Sequence, residues 1–327
     1  MNELGQDYFD IVSVTFELTY SCNFKCIHCY NQGYKPQEVF EIRNLHKLIG
    51  FLNKYEVKRV YLFGGEPLMH PEFTEIYKIL YSEGFQLSLT TNASLINSDV
   101  LDLFITHPPV ILWVSIYGFN QIDYIKSTKS DSYAKVFDNI RLLEKHNINP
   151  YFKIISLNSI GNFMDIVDYA NSHSHSQVST SFIPTLTQST TPLSFEFSPT
   201  IKDTIHKSLK SPSPDSIYPS GCQIYQNSVV IDPTGPLRPC IPFPKKTTES
   251  IFNANDYLKV LNECKTIHDS LYFYDHECAL CKHNSICGCP IIIYLYGNNK
   301  NLKCKKVFNI AGKASSEIQV DERFSCS

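Results

Sequence analysis

The chain has 327 residues, 43% of them hydrophobic, which is enough apolar material for one large or two medium globular domains with a buried core. Its 29 basic and 32 acidic residues leave a formal charge of -3 with no long block of either sign, so charge argues against nucleic-acid and membrane-surface partners. The opening segment MNELGQDYFD has no apolar export signal and no later run reaches the roughly eighteen apolar residues of a membrane span. A soluble cytoplasmic protein is expected, in which twelve cysteines point to metal or redox chemistry rather than disulfides.

In chain order, residues 11–19 alternate β-branched and apolar types and read as a buried strand running into the first cysteine group. The spacing Ile42, Leu45, Leu48, Ile49, Leu52 predicts a helix, followed by a strand over 59–63 that stops at Gly64 and Gly65. Then come a helix over 71–83, strands at 86–91 and 110–117, a helix over 133–145, a strand at 151–157, a helix near 162–171 and a strand at 178–183. About six β-α units of this kind predict a parallel sheet curled into a partial barrel, with the active site at the carboxyl ends of its strands. Residues 8–185 form this predicted barrel. Ser, Thr and Pro dominate 186–217, a predicted linker with one short helix near 202–209. A small cysteine-rich α+β domain is expected over 218–305, opening with a hairpin of 228–232 and 237–241 around Pro233-Thr234-Gly235, and 306–327 form a tail.

CNFKCIHC places Cys22, Cys26 and Cys29 on one strand-to-helix loop at intervals of four and three residues. Three thiolates so spaced can hold three corners of a [4Fe-4S] cubane and leave its fourth iron without a protein ligand. The spacing differs from the paired C-x2-C knuckles of structural zinc sites, although His28 could close a tetrahedron as a fourth ligand. GGEP follows the second predicted strand, at Gly64, Gly65, Glu66 and Pro67.

Together these segments resemble the radical S-adenosylmethionine (SAM) superfamily, whose signature is C-x3-C-x2-C after the first barrel strand. The resemblance implies that SAM chelates the open iron and that Gly64, Gly65 and Glu66 receive its amino group. It further implies ribose and carboxylate contacts from Ser115, Asn92 and Asn158, with His28 beside the adenine. Tyr117 stands where many members carry an acidic residue. A reduced cluster would then pass an electron to the sulfonium, and the resulting 5'-deoxyadenosyl radical would take hydrogen from an unactivated C–H bond.

The cysteines after the linker resemble the SPASM extension of that superfamily, which carries two auxiliary [4Fe-4S] clusters. The resemblance assigns Cys278, Cys281, Cys287 and Cys304 to one, and Cys222, Cys240 and Cys289 to the other. One residue separates Cys287 from Cys289 where the family has three, which crowds ligands of two different clusters. Cys264 reads as a small hydrophobe on a helix face, and Cys326 as a thiol in a polar tail.

Relatives with this extension mostly modify peptides, so the resemblance implies a peptide-modifying maturase that crosslinks or epimerises a ribosomal peptide. Its partners would be a peptide substrate, bound directly or with a separate leader-binding protein, and an external reductant such as flavodoxin or ferredoxin. Competing expectations are a sulfatase-type maturase, a small-molecule oxidoreductase, and a zinc or electron-carrying protein without SAM turnover. No general base or hydrogen donor stands out in the sequence.

Overall fold

Strand residues of alternating parity divide here into two faces, and that division builds the architecture. In this computed structural model, residues 11–31, 34–179, 199–210, 228–241, 243 and 245–269 are described. Six strands, β1 (Ser13–Glu17), β2 (Arg59–Phe63), β3 (Gln86–Thr91), β4 (Ile111–Ile116), β5 (Tyr151–Ile155) and β6 (Ser176–Ser179), run parallel in sequential order. Helices α1 (Leu45–Lys54), α2 (Phe73–Ser82), α3 (Ser98–Thr106), α4 (Gln121–Thr128), α5 (Tyr133–Lys145) and α6 (Met164–Ser172) lie between them. Helix α7 (Pro199–Ser208) follows, then the antiparallel pair β7 (Ser228–Ile231) and β8 (Leu237–Arg238), then α8 (Tyr257–Asp269).

One parity of the strands, with Val14, Phe16, Val60, Leu62, Leu87, Leu89, Leu112, Val114, Phe152 and Ile154, is buried in a single apolar cluster with Leu48, Ile76, Leu101, Ile140 and Val167 of the helices. Each fully buried side chain of this size contributes about 1.5–3 kcal/mol relative to exposure. The other parity carries Thr15, Tyr61, Thr90, Trp113 and Lys153, which are only half-buried. Lys153 on β5 sets its ammonium 5.8 Å from the ring centre of Phe63 on β2. Three strand spacings, about 14 Å across a flat sheet, separate those strands. The sheet therefore curls, and the polar parity faces the hollow of the partial barrel predicted from sequence.

Three differences from the sequence reading stand out. Helices α3 and α4 were absent from it, although Asn97 and Asn120 cap them by accepting from the amides of Val100 (3.0 Å) and Asp123 (2.9 Å). Strand β6 begins earlier, at Ser176, and residues 180–183 lie outside the described residues. The hairpin forms, with its second strand limited to Leu237–Arg238 rather than 237–241, and it extends the barrel's own sheet: β7 pairs in parallel with β1, Val14 opposite Val229 and Phe16 opposite Ile231. Among the described residues no helix is long and apolar enough to cross a membrane.

Candidate metal centre and cofactor site

The loop that leaves β1 holds all three cysteines of the first motif and is tied down from three sides. On one side the chain after β2 packs on the approach to Cys22: the Gly65 amide donates to Thr19 O (2.7 Å) and the Glu66 amide to Ser21 O (2.8 Å). A Cβ at Gly64, whose φ is +139°, would lie 2.3 Å from Thr19 O, and one at Gly65 2.2 Å from Ser21 O. Only glycine fits this crossing. From the second side, Asn23 donates to Ser94 (2.8 Å) and accepts from Asn92 (2.9 Å), on the loop after β3. From the third, the amides of Lys25 and Ile27 donate to the carbonyls of Thr128 (2.9 Å) and Ser127 (3.0 Å) at the end of α4.

Glu66 is buried at the centre of the clamp. Its carboxylate accepts from the Thr91 hydroxyl (2.7 Å), the Asn92 amide (2.8 Å) and the Leu68 amide (3.2 Å), joining the ends of β2 and β3. Burial raises its pKa to about 7, with those three bonds opposing the rise. The carboxylate thus spends most of its acceptor capacity inside the protein.

Burial likewise pushes the Cys22 thiol up to about 12 and that of Cys26 well above its usual value, the latter also through its neighbours Cys29 and Cys22; Cys29 is raised by burial too. Neutral thiols are favoured here unless positive charge arrives, and an iron–sulfur cluster supplies it. Three such donors on one loop fit a cluster. Among the described residues, no three His, Cys, Asp or Glu side chains are gathered at one ion-sized point.

The other expected residues are spread around this loop. Ser115 is buried at the end of β4 and hydrogen-bonds Tyr117, which senses Cys26. His28 lies 5.5 Å from the Tyr117 ring, and burial lowers its pKa to about 4, so the imidazole is neutral at pH 7. Asn158 is exposed on the loop after β5. Cys240 follows β8, and Cys264 is fully buried in α8 beside Leu261 in the apolar core. Cys222, Cys278, Cys281, Cys287, Cys289, Cys304 and Cys326 lie outside the described residues.

Sequence reasoning missed two features. Lys153 is one: its ammonium sits 5.0 Å from the Trp113 ring centre within the barrel hollow, and burial lowers its pKa to about 8. A buried ionic cluster is the other, formed by Glu17, Asp232 and Arg238 with Tyr20, Tyr30 and Tyr34. Glu17 and Arg238 looked like ordinary strand residues. Glu17 shares the polar parity of Ser13 and Thr15, so the strand pattern carried no signal of its burial.

The radical SAM superfamily model matches residues 16–170. A Methanocaldococcus jannaschii protein provisionally named a glycyl-radical enzyme activating enzyme is 32% identical over 152 residues, 46% of this chain and 57% of that one. The antilisterial bacteriocin subtilosin biosynthesis protein AlbA of Bacillus subtilis is 30% identical over 139 residues, 41% of this chain and 31% of AlbA. The chain thus spans between about a third and a little over half the length of these relatives. Among solved structures, Streptococcus suis SuiB bound to S-adenosylmethionine shares the fold with a TM-score of 0.69 at 14% identity, over 88% of this chain and 75% of SuiB. SuiB bound to its precursor peptide SuiA gives 0.67 at 16% identity, over 88% and 73%. With the cysteine loop, the double-glycine crossing and the parallel strands β2 to β5 all inside the matched segment, residues 16–170 of this chain are a radical SAM domain.

Proposed function

We propose that this chain is a radical SAM enzyme that modifies a peptide, with Cys22, Cys26 and Cys29 holding a [4Fe-4S] cluster whose fourth iron takes SAM. When bound, that pair supplies a strongly reducing electron source and a carbon radical able to take hydrogen from an unactivated C–H bond. The observation that carries the reading is the fixed loop of three thiols, Cys26 buried and Cys22 and Cys29 half-buried, braced by backbone pairing at Gly65 and Glu66.

The chain's own residues prepare the place for this chemistry. Glu66 locks the ends of β2 and β3 so that the backbone of 64–66 presents a rigid edge beside Cys22. Neutral His28 and Tyr117 offer aromatic faces next to Cys26 without bringing a competing charge. Ser115, and the Asn92 side chain near Cys22, supply hydroxyl and amide groups for a polar cofactor. Beneath them Trp113, Phe63 and Tyr151 line the hollow with carbon, which keeps water from a reactive intermediate.

A peptide substrate is supported by the similarity to AlbA, named for bacteriocin biosynthesis, and by the shared fold of SuiB, seen with a precursor peptide. Auxiliary clusters on Cys222, Cys240, Cys278, Cys281, Cys287, Cys289 and Cys304 would accept the electron released when a substrate radical closes to product. An external reductant, flavodoxin or ferredoxin, would supply the first one. The M. jannaschii relative favours a second reading, in which the hydrogen is taken from a glycine of a partner protein.

The test is anaerobic reconstitution followed by reduction with dithionite in the presence of SAM. About twelve irons per chain are expected if three clusters form, with 5'-deoxyadenosine and methionine as products and none from Cys26→Ala. Zinc in place of iron, or a wild-type protein that leaves SAM intact, would refute the reading.

A further inference from the structure

Two cysteine loops far apart in sequence meet the same buried ion pair. Glu17, the last residue of β1, is fully buried and accepts from the hydroxyls of Tyr20 and Tyr30, both at 3.0 Å, and from a terminal nitrogen of Arg238. Tyr30 directly follows Cys29, and its hydroxyl also reaches Gly64 O at 3.4 Å. Arg238, on β8, is equally buried. Its other terminal nitrogen donates to Tyr34 Oη (3.1 Å), Ile241 O and Phe243 O (3.4 Å), and the Phe243 amide returns to Cys240 O at 3.1 Å. One chain of contacts thus leads from Cys29 through Tyr30, Glu17 and Arg238 to the turn that carries Cys240.

Charge makes this connection stiff. Two carboxylates, Glu17 and Asp232, face two cations, Arg238 and Lys246, with Lys246 Nζ 3.3 Å from Asp232 and Tyr20 Oη 2.7 Å from the same carboxylate. A buried charge cannot swing away from its partner without remaining desolvated and unpaired, so neither loop can shift while the other stays in place. The guanidinium's planar fork serves the Glu17 carboxylate and the carbonyls of the Cys240 turn at once, which a lysine could not do.

We propose that Arg238 is a positioning residue shared by the two cysteine loops, and that through Glu17 it fixes the Cys29 loop and the Cys240 turn relative to one another. This rests on the reading that those cysteines bind iron–sulfur clusters, but the coupling is read separately from turnover. The experiment uses the full chain, anaerobically reconstituted, with iron content and SAM cleavage of the wild type measured first, since those alone decide the functional reading. Hydrogen–deuterium exchange then compares wild type with Arg238→Lys, which keeps the charge and loses the fork.

Exchange is expected to speed up about tenfold at the amides of both Cys29 and Phe243, with the β3 and β4 amides unchanged. The midpoint potential and EPR spectrum of the Cys22, Cys26 and Cys29 cluster should also move at unchanged iron content, although Arg238 touches none of those ligands. Faster exchange confined to the Cys240 turn, or an unmoved potential, would overturn the proposal and leave Arg238 a local anchor of its hairpin. Should Arg238→Lys fail to fold, Tyr30→Phe removes one hydroxyl between Glu17 and the Cys29 loop. It is expected to speed exchange at Phe243 at least about threefold, and no change there would equally overturn the coupling.

Discussion

The two faces of the barrel sheet obey different rules. On the helix-covered face, Phe16, Leu62, Val114 and Ile154 are sealed completely in one apolar cluster. Toward the hollow, the same strands carry Thr15, Tyr61, Trp113, Ser115 and Lys153, most of them only half-buried. A period of two therefore separates the residues that stabilise the domain from those available to a ligand, even though they are neighbours in sequence. The exception lies at the β1–β7 seam, where the inward parity of Glu17 and Asp232 is as completely buried as the apolar face and has to be satisfied by charge.

That exception offers the largest effect. Arg238→Met leaves Glu17 and Asp232 without their main counter-charge, and urea unfolding should register a loss of about 3–5 kcal/mol. Leu62→Ala, which opens a cavity on the sealed face, should cost about 2–5 kcal/mol, whereas Tyr61→Ala next to it in sequence should cost well under that; equal losses would erase the distinction between the faces. Glu66→Gln removes an acceptor from one of three buried donors and is expected to cost about 1–3 kcal/mol and to impair SAM cleavage, checked by unfolding and by deoxyadenosine yield.

The smallest effect should have the opposite sign. Burial lowers the pKa of Lys153 in the fold to about 8, below its ordinary value of 10.5, so the unfolded chain holds more protons between those limits. Wild-type stability should consequently rise with pH from about 8 to 10.5, where the lysine can be buried uncharged. Lys153→Met should melt slightly higher than wild type at pH 8 and lack that rise. A variant that melts lower at pH 8 would mean that the charge in the hollow is favourably held.

Much of this was legible in the sequence, for identifiable reasons. Strands β2 and β3 and helix α5 are read to the residue because each has a clean period and a Gly or polar boundary, as at Phe63-Gly64. Helices α3 and α4 escaped because they are short and announced mainly by single Asn caps, and α4 has few apolar positions besides; yet the end of α4 supplies two carbonyls that hold the cysteine loop. The cysteines and double glycine were visible as spacings. What the glycines pack against was not, because Thr19 and Ser21 approach them through the backbone alone. Nor could sequence pair Glu17 with Arg238 across 221 positions, since nothing local to either residue names the other.

The glycine pair has one last implication. Because its missing side chains are displaced by the protein's own main chain, the motif marks a joint in the architecture before it marks any chemistry. A descendant that abandoned iron altogether would be expected to drop its thiols freely while retaining both glycines. Alanine at either position should accordingly show itself as poor assembly of the domain, whether or not metal is supplied during synthesis.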